Sequence, residues 1–255
     1  MPKNPTTALV SEANHRKRYY VAAALIITFI AAIWANLNFS PPFVPIFTTL
    51  LAFFALIELI SICGHLRLSS QAIVVAALQT LIIVCATFAV WLIELSFENW
   101  ILIMLAVLIP VFTQSIFAYF IGRFWLPRIK HNQSTLVRFL RWYNFRSSSR
   151  KTAGIAIITS LIALAVTLPW VIGDSLLTTV AVIASLTAAY GDLQESRLKR
   201  LVDVQDSGEH LRQGRSIFAK IERAVGSHGG FLDRFDATFF CFAIILPVIA
   251  IFMVI

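Results

Sequence analysis

Two charged clusters stand out in an otherwise apolar chain. The first reads Gly191-Asp192-Leu193-Gln194-Glu195-Ser196, followed by Lys199-Arg200 and Asp203. On a helix, Asp192, Glu195, Ser196, Lys199, Arg200 and Asp203 recur at three- and four-residue steps and share one face, a carboxylate stripe leading into a basic one. Read alone, such a face is described as well by a solvated helix end, in which Glu195 and Lys199 form an ordinary i,i+4 pair, as by a site for chemistry. The second cluster reads His228-Gly229-Gly230-Phe231-Leu232-Asp233-Arg234-Phe235-Asp236. Gly229 and Gly230 let backbone N–H groups approach a phosphate with no Cβ in the way. His228 has a ring nitrogen to donate to that phosphate or accept from it. Asp233 and Asp236, three apart at the start of a helix, serve either a divalent cation or the helix N-terminus.

The elements that carry these clusters are membrane spans. The chain is 58% hydrophobic and 13% charged, against roughly 25% charged in an ordinary soluble domain. A helix needs about 20 apolar residues to cross the hydrocarbon core. The apolar runs predict an all-α, polytopic transmembrane helix bundle of about seven spans: 20–35, 43–63, 72–95, 100–119, 153–172, 175–190 and 237–255. An alternative count of eight splits the stretch between Trp100 and Trp125. The charged stripe follows the sixth span and the second cluster precedes the seventh. The chain reads as one membrane-embedded unit, residues 1–255, with no internal repeat and no linker that would separate a soluble domain.

Lys and Arg fix the expected orientation, since cytoplasmic loops retain positive charge. With the N-terminus cytoplasmic, segments 1–19, 64–71, 120–152 and 191–236 are inside and hold all 21 Lys and Arg. The segment from Arg123 to Lys151 carries eight basic residues, no acidic ones and several aromatics, which suits anionic headgroups or a plain positive-inside anchor. The segment from Asp192 to Asp236 holds eight acidic and eight basic residues, a balanced mixture that is no anchor. Cys63, Cys85 and Cys241 lie in or beside apolar spans without CxxC spacing and read as packing residues.

The order of these residues resembles the phosphatidate cytidylyltransferases (CDP-diacylglycerol synthases), of which this chain would be a divergent member. The family pattern runs G-D-L-x-E-S, K-R, D-x-G and H-G-G-x-x-D-R-x-D. Here it is matched by Gly191 to Ser196, Lys199-Arg200, Asp206-Ser207-Gly208 and His228 to Asp236. Weaker likeness extends to Ala118-Tyr119 with Gly122-Arg123, to Ser148 with Lys151-Thr152, and to Glu58. Ser115 stands where the family has aspartate, Gln205 where it has lysine, and an insertion separates Gly208 from His228. That insertion, with Leu211, Ile217, Phe218 and Ile221 apolar and Arg212, Arg215, Lys220 and Arg223 basic, reads as a short amphipathic helix on the membrane surface.

The resemblance implies transfer of the CMP moiety of CTP to phosphatidate, giving CDP-diacylglycerol and pyrophosphate. It assigns Asp192, Asp233, Lys199 and His228 to catalysis. Lys151, Arg123, Ser196, Arg200, Gly229, Gly230 and Arg234 go to substrate binding, and Asp192, Asp233, Asp236 and Glu195 to magnesium. The implied partners are CTP, phosphatidate or a related lipid phosphate, and the bilayer, with no nucleic acid and with a homodimer left open. The expected location is the bacterial inner (cytoplasmic) membrane, active face cytoplasmic. Two other readings stay open: a different lipid acceptor, and a non-catalytic protein retaining the scaffold. A transporter is disfavoured, because only Glu58 and Glu94 are ionisable within or near the spans and no paired broken helices appear.

Overall fold

In lipid a chain satisfies its backbone polar groups within each segment, so apolar runs of spanning length become helices. The computed structural model describes residues 24, 27–39, 42–64, 70–121, 153–202, 220 and 231–254, and no strand occurs among them. In chain order the helices are α1 (Ile27–Asn38), α2 (Phe43–Gly64), α3 (Ser70–Ser96), α4 (Trp100–Phe120), α5 (Ala153–Val171), α6 (Ser175–Leu201) and α7 (Leu232–Phe252). From α2 to α7, six helices are long and apolar enough to cross a membrane, and α1 is a shorter apolar helix. The protein is a polytopic all-helical membrane protein. The region between Trp100 and Phe120 is one helix, so the alternative split is not adopted there. The basic segment from Arg123 to Lys151 and the insertion before His228, apart from Lys220, lie outside the described residues.

The helices cluster into two compact units. One comprises residues 1–67 and 204–234. Within it, α2 begins directly after Pro42, a residue type that suits a helix start because it has no N–H to leave unpaired. The Asn36 side chain accepts from the Val44 N–H at 3.1 Å, and the Phe29 and Phe47 rings meet at 6.2 Å. The second unit comprises residues 68–203 and 235–255. In it α4 packs along α5 and α6, α5 packs along α6, and α3 lies against α4 and α6.

Small residues line the contacts of the second unit. On α6, Ala181, Ala184, Ala188 and Gly191 are all buried, giving the small-residue stripe that lets membrane helices approach closely. Outward positions carry large apolar side chains such as Val74, Phe88, Phe112, Ile116 and Leu161, as expected for surfaces that face acyl chains. Polar groups inside the unit are tied across helices: Gln114 of α4 donates to the Ser160 hydroxyl of α5 at 2.8 Å, buried. Gln114→Leu is expected to cost about 1 kcal/mol, in the range of interhelical hydrogen bonds in membranes, and to lower the melting temperature in detergent.

The α5–α6 corner shows why α6 begins where it does. Gly173 has φ of 110°, a conformation that disfavours side chains. Asp174 then accepts from the Leu177 N–H at 2.9 Å as an N-cap, and the Thr178 hydroxyl donates to the Val171 carbonyl at 2.8 Å. From this anchored start α6 runs unbroken past Tyr190, the expected end of its apolar run, to Leu201.

Candidate active site at the polar end of α6

The continuation of α6 beyond Tyr190 places the first charged cluster from Asp192 to Arg200 on a regular helix, in keeping with its three- and four-residue spacing; Asp203 lies outside the described residues. Asp192 is half-buried, Glu195 and Ser196 are buried, Lys199 is half-buried and Arg200 is exposed. The Lys199 ammonium lies 2.9 Å from a Glu195 carboxylate oxygen, and Glu195 is only 1% exposed. A carboxylate withdrawn this far from water needs a charged partner, and Lys199 supplies one. The Arg200 Nε donates to the Ser196 carbonyl at 2.8 Å, which folds its guanidinium back along the helix end.

α7 meets α6 at this same end. Gly191 packs directly on the α7 backbone: a Cβ built there falls 2.6 Å from the Ala237 Cα, 2.7 Å from the Asp236 carbonyl oxygen and 2.9 Å from the Ala237 nitrogen. Further along the crossing, the Cys241 thiol lies 3.5 Å from the Thr187 hydroxyl and donates to the Ala184 carbonyl at 3.7 Å. Tyr190 stacks on Phe240 at 6.5 Å. The glycine of the Gly-Asp-Leu motif is therefore a point of direct backbone approach between two helices, and the motif's aspartate is the next residue.

Asp236 is 5% exposed, and one of its oxygens accepts from the Ala237 N–H at 2.7 Å. Asp236 of α7 and the Asp192–Glu195–Lys199 stripe of α6 thus flank one helix crossing inside a single unit. Asp233 and Arg234 lie in the first turn of α7, with side chains outside the described residues. Arg123, Lys151, His228, Gly229 and Gly230 also lie outside the described residues.

Among the described residues no three His, Cys, Asp or Glu side chains gather as a ready-made metal cluster. Magnesium does not require one. It binds through one or two carboxylates and fills its shell with water and substrate phosphate oxygens. Hard oxygen donors at Asp192 and Asp236, on adjoining helices, fit that mode. Ser115, which stands where the resembled family has aspartate, is exposed on α4 and its hydroxyl donates to the Val111 carbonyl at 2.9 Å. A cavity of about 330 Å³ at the start of α3 is lined on its α6 side by Gln194 and Arg197. At 100° per residue these two point away from Asp192 and Lys199, so the cavity is separate from the charged stripe.

Sequence reasoning missed one long-range contact. Glu58 of α2, fully buried, accepts the backbone N–H groups of Phe231 and Leu232 with its two carboxylate oxygens. The signal was a lone glutamate in an apolar span; its partners lie far away in sequence, beyond any local spacing rule.

Residues 151–252 match the model of the cytidylyltransferase family, a stretch of less than half the chain that contains α5, α6 and α7 together with both charged clusters. That similarity supports a CTP-using nucleotidyltransferase. No curated protein and no solved structure matches the chain.

Proposed function

We propose that the protein is a membrane nucleotidyltransferase that transfers the CMP moiety of CTP to phosphatidate, releasing pyrophosphate and forming CDP-diacylglycerol. The observation that carries this reading is the Gly191 crossing, which gathers the carboxylates and bases of α6 beside Asp236 of α7, within the stretch similar to the cytidylyltransferase family.

The chemistry sets the demands. A phosphate oxygen of the lipid forms a bond to the α-phosphorus of CTP, and the bond from that phosphorus to the oxygen bridging to the β-phosphorus breaks, its electrons leaving with pyrophosphate. Two polyanions must meet, so their repulsion must be screened in a partly dry site. Lys199, Arg200 and Arg234 are assigned to the triphosphate and the departing pyrophosphate, as cationic clamps act in phosphoryl transfer. Lys151 and Arg123 are assigned to the lipid phosphate. Ser196, Gly229 and Gly230 line the phosphate path in this reading, and His228 positions a phosphate. The attacking phosphate is already ionised near neutral pH and needs little help from a base.

Magnesium, when bound by Asp192 and Asp233 with Asp236 and Glu195 in support, would supply charge neutralisation and orientation for the triphosphate. The active face is assigned to the cytoplasm, where the Lys and Arg residues collect.

The test uses the full-length protein purified in detergent. Given labelled CTP, phosphatidate and magnesium, it is expected to release pyrophosphate and form a CDP-linked lipid, and to do neither with a chelator present. Turnover only with another lipid phosphate in a substrate panel would replace the acceptor. CTP binding without turnover would identify a scaffold that has lost catalysis.

A further inference from the structure

An ionisable residue inside an apolar span is costly and calls for a purpose. α2 contains a single charged residue, Glu58, and it is 0% exposed. Its Oε1 accepts from the Phe231 N–H at 2.5 Å and its Oε2 from the Leu232 N–H at 2.9 Å, so these two donors are divided between the two oxygens. These N–H groups stand at the start of α7, where a helix has no partners of its own to offer, and where its dipole favours a negative side chain. One helical turn earlier on α2, the Phe54 ring stacks on Phe231 with centroids 5.0 Å apart and planes at 18°. Two side chains on one face of α2 therefore grip the two residues that immediately precede Asp233.

We propose that Glu58 is a positioning residue for the nucleotidyl transfer: by holding Phe231 and Leu232 it sets the height and rotation at which α7 presents its acidic residues. This inference rests on the cytidylyltransferase reading. Helical residues advance 100° each, so a start displaced by one residue turns every following side chain through that angle. Asp233 follows Leu232 directly, and Asp236 lies one turn along the same helix. A cap of this kind does more than protect a helix end, because it fixes the register of the backbone that carries those residues.

The test compares full-length wild type, Glu58→Gln and Phe54→Leu in detergent. Glutamine keeps the size of Glu58 but leaves one oxygen to face two donors, with its amide NH2 group opposed to an N–H. Glu58→Gln is expected to lower kcat about a hundredfold, the scale of a small misplacement at a reacting centre, and to raise the magnesium concentration for half-maximal rate. Hydrogen exchange of the Phe231 and Leu232 amides is expected to speed up while the amides of α6 keep wild-type protection. Phe54→Leu, which keeps the carboxylate, is expected to show a smaller change in the same direction. Wild-type kcat and magnesium dependence in Glu58→Gln would overturn the inference. So would a loss of rate accompanied by faster exchange throughout the helices, which marks a merely structural role. Absence of turnover in the wild-type protein would instead overturn the enzymatic reading, and this role with it.

Discussion

Asp192→Asn is expected to reduce pyrophosphate release from CTP by roughly 10²–10³-fold, the loss that follows removal of one preorganised electrostatic contact from a transition state. Asparagine has nearly the same shape, and Asp192 is only half-buried, so packing of the α6–α7 crossing is preserved and the melting temperature in detergent should change little. What is lost, in the proposed reaction, is a negative charge that would hold the metal at the triphosphate. Asp233→Asn is expected to behave alike, and the double variant to be little worse than either single one, because residues that act as a unit lose their effect together. Assays of all three at several magnesium concentrations check this. Full activity in both single variants would remove the metal assignment while leaving the fold description intact.

Gly191→Ala is expected to damage both stability and activity. Its added methyl falls within 3 Å of three backbone atoms of α7, at Asp236 and Ala237. A flexible side chain could swing aside, but backbone in the middle of a helix has no such freedom, so the two helices must separate. Overpacking of a well-filled interior costs about 1–3 kcal/mol, and displaced backbone places this site at the upper end of that range. The separation occurs next to Asp192, so turnover is expected to fall further than stability alone would explain. Thermal unfolding in detergent and steady-state rates on the same preparation separate the two effects. An alanine variant with wild-type melting and wild-type rate would contradict the close crossing.

The spans were legible because hydropathy acts over whole segments. The runs 43–63, 72–95 and 100–119 lie within a few residues of α2, α3 and α4. The sixth span was less complete by hydropathy: its apolar run stops at Tyr190, yet the helix continues through Leu201. The i,i+3 and i,i+4 spacing of Asp192, Glu195 and Lys199 carried that continuation, and the Glu195–Lys199 ion pair is the i,i+4 contact the spacing offered.

Other features resisted sequence reading for physical reasons. Gly191 was visible as part of a motif, but its use as a backbone-to-backbone contact depends on a partner helix more than forty residues later. Glu58 was visible as a lone acidic residue in an apolar span and as a point of family likeness, but not as a cap on a distant helix. Its hydrogen bonds reach across 173 and 174 positions of sequence, and no periodicity encodes a contact of that range. Small side chains at Ala181, Ala184 and Ala188 carry little hydropathy signal, although they determine how closely the helices of the second unit pack.

The length of α6 has a consequence for where substrates meet. Its 27 residues make a rod of about 40 Å at 1.5 Å per residue, longer than the roughly 30 Å of hydrocarbon it crosses. Its capped beginning at Asp174 follows Trp170, which is 82% exposed and of the type that settles at a membrane boundary. Measured from that end, Asp192 stands about 26 Å along the rod and Lys199 about 36 Å. On that measure Asp192 would lie just inside the far edge of the hydrocarbon and Lys199 within the headgroup layer beyond it. In the proposed reaction a water-borne nucleotide and a lipid still seated among its neighbours would meet at that boundary, with neither having to leave its own phase.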